Sequence, residues 1–434
     1  MLEPYNLLEP YNLLIESSII LLLSFAFGEL SKRTSIPSVL MLIVLGIIIK
    51  LGIDTVVVPE NPYDFFPYLE ILGIVGLIMI VLEAALELEL KPEKYVPIAK
   101  AFGIAAVGLI LSTWAAAEIL KYAFEMETTK AWLYATPLSI LSSAIIIPSV
   151  SGLRPDKKEF HIYESTFSDI LGIILFYFLS GKLLAEVDPI GHPGGGAVAY
   201  AGTIGLTVIL SLIASYIIVL IFQNIKSHVK LFLLIAVLLL LYSVGKKMHL
   251  SSLIIILVFG LLIANMRLFF SWGPLQKLLK YKEALHIYEG LHVITMETAF
   301  VVRTFFFVIF GIIIKLETLA NLKVAAVSIG IIISIYAIRF VILRIMIGKD
   351  ILPQLFIAPR GLITVLLFYA IPEKIQNPNF EEGILLFIII GTSLIMTFAM
   401  ISNKKRSGVA VRKAERNIVG SEPWTAPTVV EKED

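Results

Sequence analysis

Residues 160–183 read FHIYESTFSDILGIILFYFLSGKL, an apolar run with acidic and hydroxyl side chains in its first half. A helix needs roughly 20 apolar residues to cross a hydrocarbon core of about 30 Å, so this run is long enough to span a bilayer. With a rise of about 1.5 Å per residue, Asp169 would lie roughly 14 Å from the inner end and Glu164 roughly 6 Å from it. Ionisable side chains are costly at such depths, and by default they indicate a functional site.

The rest of the chain consists largely of similar runs. Hydrophobic residues make up 58% of the 434 residues and charged residues 16%, and the mean hydropathy is +0.90. Soluble proteins average about 25% charged residues, so this composition favours a lipid environment. We predict an all-α polytopic membrane protein with about thirteen transmembrane helices. The predicted spans lie near residues 12–30, 36–50, 67–88, 95–122, 132–153, 160–183, 197–222, 229–245, 252–267, 291–315, 321–347, 352–372 and 381–402.

These spans divide the chain into three parts. Residues 1–14, in which the hexamer LEPYNL occurs twice, are predicted to lead into the first helix, and residues 15–403 form the transmembrane domain. Residues 404–434 are polar, contain Pro423 and Pro427, and are predicted to be a disordered cytoplasmic tail. Residues 268–290 are basic and amphipathic and are expected to lie along the membrane surface. The span number also fits two inverted six-helix repeats joined by one linker helix.

The distribution of Lys and Arg among the loops predicts the orientation. Loops on one side carry roughly 18 positive residues and those on the other roughly 9, and the richer side is normally cytoplasmic. The N-terminus is therefore expected outside and the C-terminus in the cytoplasm. The lack of a long glycosylated loop or a large tail favours a prokaryotic inner membrane.

Composition also bears on the function classes that fit. The net charge is +1 and cysteine is absent, so nothing indicates a nucleic-acid partner, and disulfides and thiol catalysis are excluded. His286 and His292 do not match a metal-binding spacing, and no nucleotide-binding loop or protease elbow occurs. We therefore predict no enzymatic activity and no cofactor, and we expect small ions and the bilayer as partners.

Hydroxyl groups surround Asp169 in the sixth span. Ser165 precedes it by four residues and shares its helix face, and Ser168 is its neighbour in sequence. A carboxylate with hydroxyls at mid-membrane depth can bind a small hard cation transiently, or a proton in its place. The alternative is a polar cluster that serves only helix packing.

The fifth span carries Pro137 and Pro148. A proline at 148 has no amide hydrogen, which leaves the carbonyl of Ala144 without its helical partner. Unpaired backbone is tolerated in a membrane where it is buried in protein or lines a cavity. We therefore predict a break near Ser143–Ile147, with carbonyls offered toward Asp169; a proline kink without a function is the alternative.

Three arginines are predicted to lie within or at the edge of spans. Arg339 is deep in the eleventh span and requires a carboxylate, for which Glu164 and Asp169 are the candidates. Arg303, in the tenth span, also needs a counter-charge, but the sequence does not identify one. Arg360 begins the twelfth span close to the inner surface. Glu83 and Glu87 close the third span, where an interfacial role is expected rather than one in transport.

These features together resemble the monovalent cation/proton antiporter superfamily over nearly the whole membrane region. The most specific part is Glu164-Ser165-Thr166-Phe167-Ser168-Asp169, which is similar to the family pattern Glu-Ser-x-x-Asn-Asp. The other matching segments occur in the expected order: Ile36–Leu40 with Gly46, Leu82–Glu87, Leu141–Ala144, Phe305–Gly311, Arg339 and Pro359–Gly361.

The resemblance implies a homodimer in which a mobile bundle, spans 4–6 and 11–13, moves against a scaffold of spans 1–3 and 7–10. Two broken helices would cross near the ion site. By position, Asp169 would bind the cation or the proton, Ser165 and the backbone near Ser143 would add oxygens, and Glu164 would pair with Arg339. Arg303 and Arg360 would support the site.

Two departures from the family pattern bear on mechanism. Ser168 stands in place of the family's Asn, and Ala144-Ile145-Ile146 stands in place of Thr-Asp-Pro. Because one carboxylate replaces an Asp-Asp pair, we expect electroneutral exchange of Na⁺, or else K⁺ or Li⁺, for H⁺ by alternating access. An ion channel or a membrane sensor on the same scaffold is the alternative.

Overall fold

The computed structural model describes residues 10–34, 36–56, 66–90, 92–187, 197–225, 230–248, 252–270, 280–313, 317–318 and 321–418, and no strand occurs among them. The helices in chain order are α1 (Pro10–Thr34), α2 (Ser38–Val56), α3 (Phe66–Glu87), α4 (Tyr95–Phe124), α5 (Thr128–Ser139), α6 (Ser143–Ser149), α7 (Pro155–Val187), α8 (Ala197–Phe222), α9 (Lys230–Lys247), α10 (Ser252–Ala264), α11 (Met266–Phe269), α12 (Tyr281–Ile313), α13 (Leu322–Met346), α14 (Leu362–Tyr369) and α15 (Gly383–Ile418).

Each predicted span contains a helix. Helices α5 and α6 share the fifth span, and a short 3-10 turn (Gln354–Phe356) followed by α14 makes up the twelfth. Within the described residues, eight helical segments are long and apolar enough to cross a membrane, and two shorter apolar helices accompany them. The all-α membrane fold is therefore confirmed.

Two predictions about the flanks of these spans are wrong for the residues that the structure describes. Residues 281–290 belong to the segment 268–290 that was predicted to lie along the membrane surface, but they form the first turns of α12, which continues through the tenth span and buries Ala284, Ile287 and Leu291 along one helical face. Residues 271–279 of that segment lie outside the described residues. Of the tail 404–434, predicted to be disordered, residues 404–418 continue α15 to Ile418, and the remainder lies outside the described residues. That helical stretch contains no proline, and six of its fifteen residues are Lys or Arg, which favour helices. The repeated hexamer lies mostly outside the described residues, and α1 already begins at Pro10.

The helices pack in two sets. In one set, α12 packs on α2 and α3, and α10 packs on α3, α8 and α9. In the other, α4 packs on α5, α7 and α13, and α13 packs on α15. Many large apolar side chains lie on the outside, among them Leu22, Trp114, Ile333 and Phe398. This is the pattern expected where the surrounding solvent is lipid.

Close crossing in the first set depends on two glycines. A Cβ at Gly46 of α2 would lie 2.2 Å from the carbonyl oxygen of Val308, and one at Gly311 of α12 would lie 2.4 Å from that of Ile43. Neither position can accept a side chain without separating α2 from α12. Small residues at such contacts are typical of packed membrane helices.

Candidate functional site

The break in the fifth span lies earlier than the sequence predicted. Helix α5 ends at Ser139 and α6 begins at Ser143, with Ile140 and Ser142 in extended conformation. Pro148 lies inside α6, so the predicted position, Ser143–Ile147, is wrong. Backbone amides of the break form hydrogen bonds with other parts of the fold. The Leu141 amide donates to Ser168 Oγ (3.0 Å), and the Ser142 amide donates to the Pro359 carbonyl (3.0 Å).

A second non-helical segment, residues 357–361, crosses the first. It follows the turn Gln354–Phe356 and precedes α14. The crossing is tight, because a Cβ at Gly361 would lie 2.6 Å from Ser142 Oγ and 2.8 Å from Ile145 Cδ1. Gly361 allows the two broken spans to meet at this point.

Arg360 donates hydrogen bonds to the carbonyls at the end of α5. Its side chain is 1% exposed, and Nε and Nη2 donate to the carbonyls of Leu138 (2.9 Å) and Ser139 (3.0 Å). Nη1 donates to the Ala358 carbonyl at 2.6 Å. The last carbonyls of a helix lack internal partners and carry partial negative charge, so a buried guanidinium stabilises this interrupted end.

Asp169 lies beside the start of α6. It is 0% exposed, and neither of its carboxylate oxygens takes part in a hydrogen bond of regular geometry among the described residues. The hydroxyl and the backbone amide of Ser143 interact with this carboxylate, and Glu83 and Glu87 of α3 act on it electrostatically. Asp169 is therefore a buried acid with polar groups nearby and no fixed counter-charge of its own.

The serines on α7 have other partners in this conformation. Ser165 Oγ donates to the His161 carbonyl at 2.7 Å, one helical turn back. Ser168 Oγ accepts from the Leu141 amide and so helps to hold the break open. Each hydroxyl oxygen still has lone pairs to offer.

Arg303 joins three helices. Its Nη2 lies 3.2 Å from Glu83 Oε1 and 3.3 Å from Oε2, which identifies the counter-charge that the sequence did not. Its Nη1 donates to the Ala144 carbonyl at 3.2 Å. The carbonyl that Pro148 leaves unpaired is thus occupied by an arginine in this conformation. Glu83, for which an interfacial role was expected, therefore forms an ion pair with a side chain that is only 17% exposed.

Arg339 forms a bidentate ion pair with Glu164, the first of its two candidate partners. Nη1 and Nη2 donate to Oε1 and Oε2 at 2.6 and 2.9 Å. Nε and Nη2 also donate to the Gln354 carbonyl at 3.1 and 2.9 Å, and His161 Nδ1 lies 3.3 Å from Glu164 Oε2. The pair ties α7 to α13 and to the turn that opens the twelfth span.

Comparison with known proteins agrees with this geometry. The family model for the transmembrane sodium/hydrogen exchanger matches residues 19–402. The chain belongs to the sodium/hydrogen exchanger family. Its membership makes it an integral membrane protein of a cation/proton antiporter family.

Solved structures of one antiporter share the fold of this exchanger. The sodium proton antiporter MjNhaP1 from Methanocaldococcus jannaschii at pH 8 is 20% identical, with a TM-score of 0.65 over 90% of this chain and 94% of that one. A structure of the same antiporter from an electron-microscopy map is 18% identical, with a TM-score of 0.64 over 96% of this chain and 100% of that one. No curated protein sequence matches this exchanger significantly.

Sequence reasoning missed three contributors to the site of this exchanger. Glu83 pairs with Arg303, His161 lies against Glu164, and Gln354 supplies a carbonyl to Arg339. A signal existed for His161, because it precedes Glu164 by three residues and shares its helix face. None existed for Gln354, since every residue carries a carbonyl.

Proposed function

We propose that this exchanger trades one monovalent cation, Na⁺ or else K⁺ or Li⁺, for one H⁺ at Asp169 by alternating access. The observation that carries the proposal is a fully buried carboxylate that has no fixed counter-charge among the described residues. A buried carboxylate cannot remain charged and unpaired, so it must hold either a proton or a cation. Because the two exclude each other at the same oxygens, one site couples their movements.

Ligands for the cation come from both sides of the break. Ser143 already acts on Asp169 through its hydroxyl, and Ser165 and Ser168 retain lone pairs on the same helix as the carboxylate. Oxygen ligands of this kind suit hard cations. The Ala144 carbonyl would join through its second lone pair, or after Arg303 moves away from it.

Arg303 supports the site by neutralising Glu83 and holding α6. It reaches from α12 to a carboxylate of α3 and a carbonyl of α6, so it bridges the two helix sets. When the bundle moves, this bridge would break or carry α6 with it. Arg360 supports the site differently, by holding the end of α5.

The packing supports a division of the membrane domain into a scaffold, spans 1–3 and 7–10, and a moving bundle, spans 4–6 and 11–13. Contacts within each set are the principal ones, and Glu164–Arg339 fastens α7 to α13 inside the bundle. We further propose a homodimer built through the scaffold, with the N-terminus outside and the C-terminus in the cytoplasm of a prokaryotic cell.

Proton flux into proteoliposomes tests the proposal. An internal pH dye is followed while Na⁺, K⁺ or Li⁺ is added outside, for the wild type, Asp169→Asn and the control Asp350→Asn, which alters an exposed carboxylate paired with Lys157. The expected result is a cation-dependent pH change that is lost in Asp169→Asn and kept in Asp350→Asn. Exchange by folded Asp169→Asn protein would refute the role of Asp169.

The stoichiometry has its own measurement. Exchange of one cation for one proton moves no net charge, so its rate should be the same at every clamped membrane potential. A rate that follows voltage would overturn one-to-one exchange, and resolvable single-channel currents would favour a channel on the same scaffold.

A further inference from the structure

A small, partly open cavity lies in the bundle next to the crossing of the two broken spans. Its volume is about 30 Å³. Its polar lining consists of Ser112, Ser139, Glu164, Ser168, Arg339 and Arg360, and the remainder is apolar surface, mostly from α4 and α13. Such a volume holds one or two particles the size of water. Asp169 does not line it, whereas Ser168, a proposed cation ligand, does, so this cavity adjoins the proposed exchange site without including its carboxylate.

Two of the lining residues, Arg360 and Ser168, have hydrogen-bond donors left over from the bonds found among the described residues. A guanidinium has five N–H groups, and Arg360 uses three of them on the carbonyls of Leu138, Ala358 and Ser139, which leaves two. Ser168 Oγ accepts from the Leu141 amide and keeps its own hydrogen to donate. Both oxygens of Glu164 already accept from Arg339.

The charge around the cavity is also unbalanced. Two buried arginines and one carboxylate line the cavity. The carboxylate, Glu164, is already paired with Arg339. The side-chain partners of Arg360 among the described residues are neutral carbonyls. The end of α5 offsets part of this charge, since a helix C-terminus carries about half a negative charge. A buried charge without full compensation is costly, so an occupant with negative charge would stabilise the protein.

We propose that this cavity binds a small inorganic anion, of the size and charge of chloride. Unused donors and excess positive charge favour an anion over a cation or an apolar ligand, and the small volume favours a small one. The anion would stabilise the crossing of the two broken spans. This site does not depend on which cation the protein exchanges, or on whether it exchanges one.

Halide-dependent thermal unfolding of the full-length protein tests the proposal. Melting is followed by intrinsic fluorescence while chloride or bromide replaces gluconate at constant Na⁺ and constant ionic strength. A ligand that binds only the folded state raises the melting temperature, here by an expected few degrees at saturation, on the order of 2–4 °C. Gluconate is too large for the cavity and should have no such effect.

Two glycine variants of α4 separate this site from general salt effects. Gly108 lines the cavity, and its added Cβ would lie 3.9 Å from Ile342 Cδ1, in ordinary contact. Gly103 is on the same helix outside the cavity, and its Cβ would lie 3.4 Å from Met346 Cε. Gly108→Ala and Gly103→Ala change helix propensity equally, but only the first adds a methyl group to the cavity wall.

The expected outcome is a saturable halide response in the wild type and in Gly103→Ala that is weakened or lost in Gly108→Ala. A bromide anomalous peak in the cavity of wild-type crystals would support the same conclusion without any variant. Equal melting in halide and gluconate, or equal halide responses in the two glycine variants, would overturn the proposal and leave water as the occupant.

Discussion

Glu164 and Asp169 are two buried carboxylates on the same helix with opposite surroundings. They are 1% and 0% exposed, and they point about 140° apart around α7. Glu164 accepts two hydrogen bonds from Arg339, whereas Asp169 has no regular hydrogen bond among the described residues. The difference shows how one helix can carry a fixed charge and an exchangeable one. A permanent cation keeps Glu164 ionised, while Asp169 depends on a mobile ion or proton.

The largest difference should appear when each carboxylate becomes an amide. Asp169→Asn is expected to abolish exchange completely and to leave the melting temperature unchanged or higher, because a neutral amide removes a buried charge that lacks a partner. Proteoliposome flux and thermal melting of the same preparation give both quantities. A large loss of stability would mean that Asp169 has a structural partner.

Glu164→Gln should show the reverse pattern. It leaves Arg339 buried without its counter-charge, and breaking comparable buried pairs costs about 3–5 kcal/mol. Chemical or thermal unfolding measures the loss, and Arg339→Gln should give a loss of similar size. If Glu164→Gln were as stable as the wild type but inactive in transport, then the structural role of the pair would be wrong.

A smaller stability effect is expected at the ion pair between Arg303 and Glu83. The side chains of Arg303 and Glu83 are each 17% exposed, so solvent compensates part of the lost charge in Arg303→Gln. We expect a loss of about 1–3 kcal/mol, in the range for hydrogen bonds to charged groups. Measuring the free energy of unfolding of Arg303→Gln and of Glu164→Gln under the same conditions tests which variant loses more stability. A larger loss in Arg303→Gln would mean that the contacts of Arg303 with Glu83 and Ala144 stabilise the protein more than the Glu164–Arg339 pair does.

Ser168→Ala should have the smallest effect. It removes the acceptor of the Leu141 amide at the break and leaves that buried donor unsatisfied, which costs about 1–2 kcal/mol. Ser180→Ala, at another buried serine of α7, is the matched control. Equal stability of the two variants would show that Ser168 does not hold the break open.

The sequence by itself determined the helices and their membrane character. Every span was predictable because a helix that crosses a bilayer needs a long continuous run of apolar residues, and such a run is visible in the sequence. The pair Glu164–Arg339 was predictable as one of two options, because a deep arginine requires a carboxylate and the chain places few of them at that depth.

Only the tertiary structure decided the position of the break and the partners of Arg303 and Arg360. The break is stabilised by hydrogen bonds to Pro359, in the other broken span, and to Ser168, on α7, and its position does not follow from Pro148 nearby in sequence. Arg360 binds backbone carbonyls, and Arg303 binds one as well as Glu83. Carbonyls occur at every residue, so a sequence carries no sign of which of them will meet a given arginine until the chain has folded.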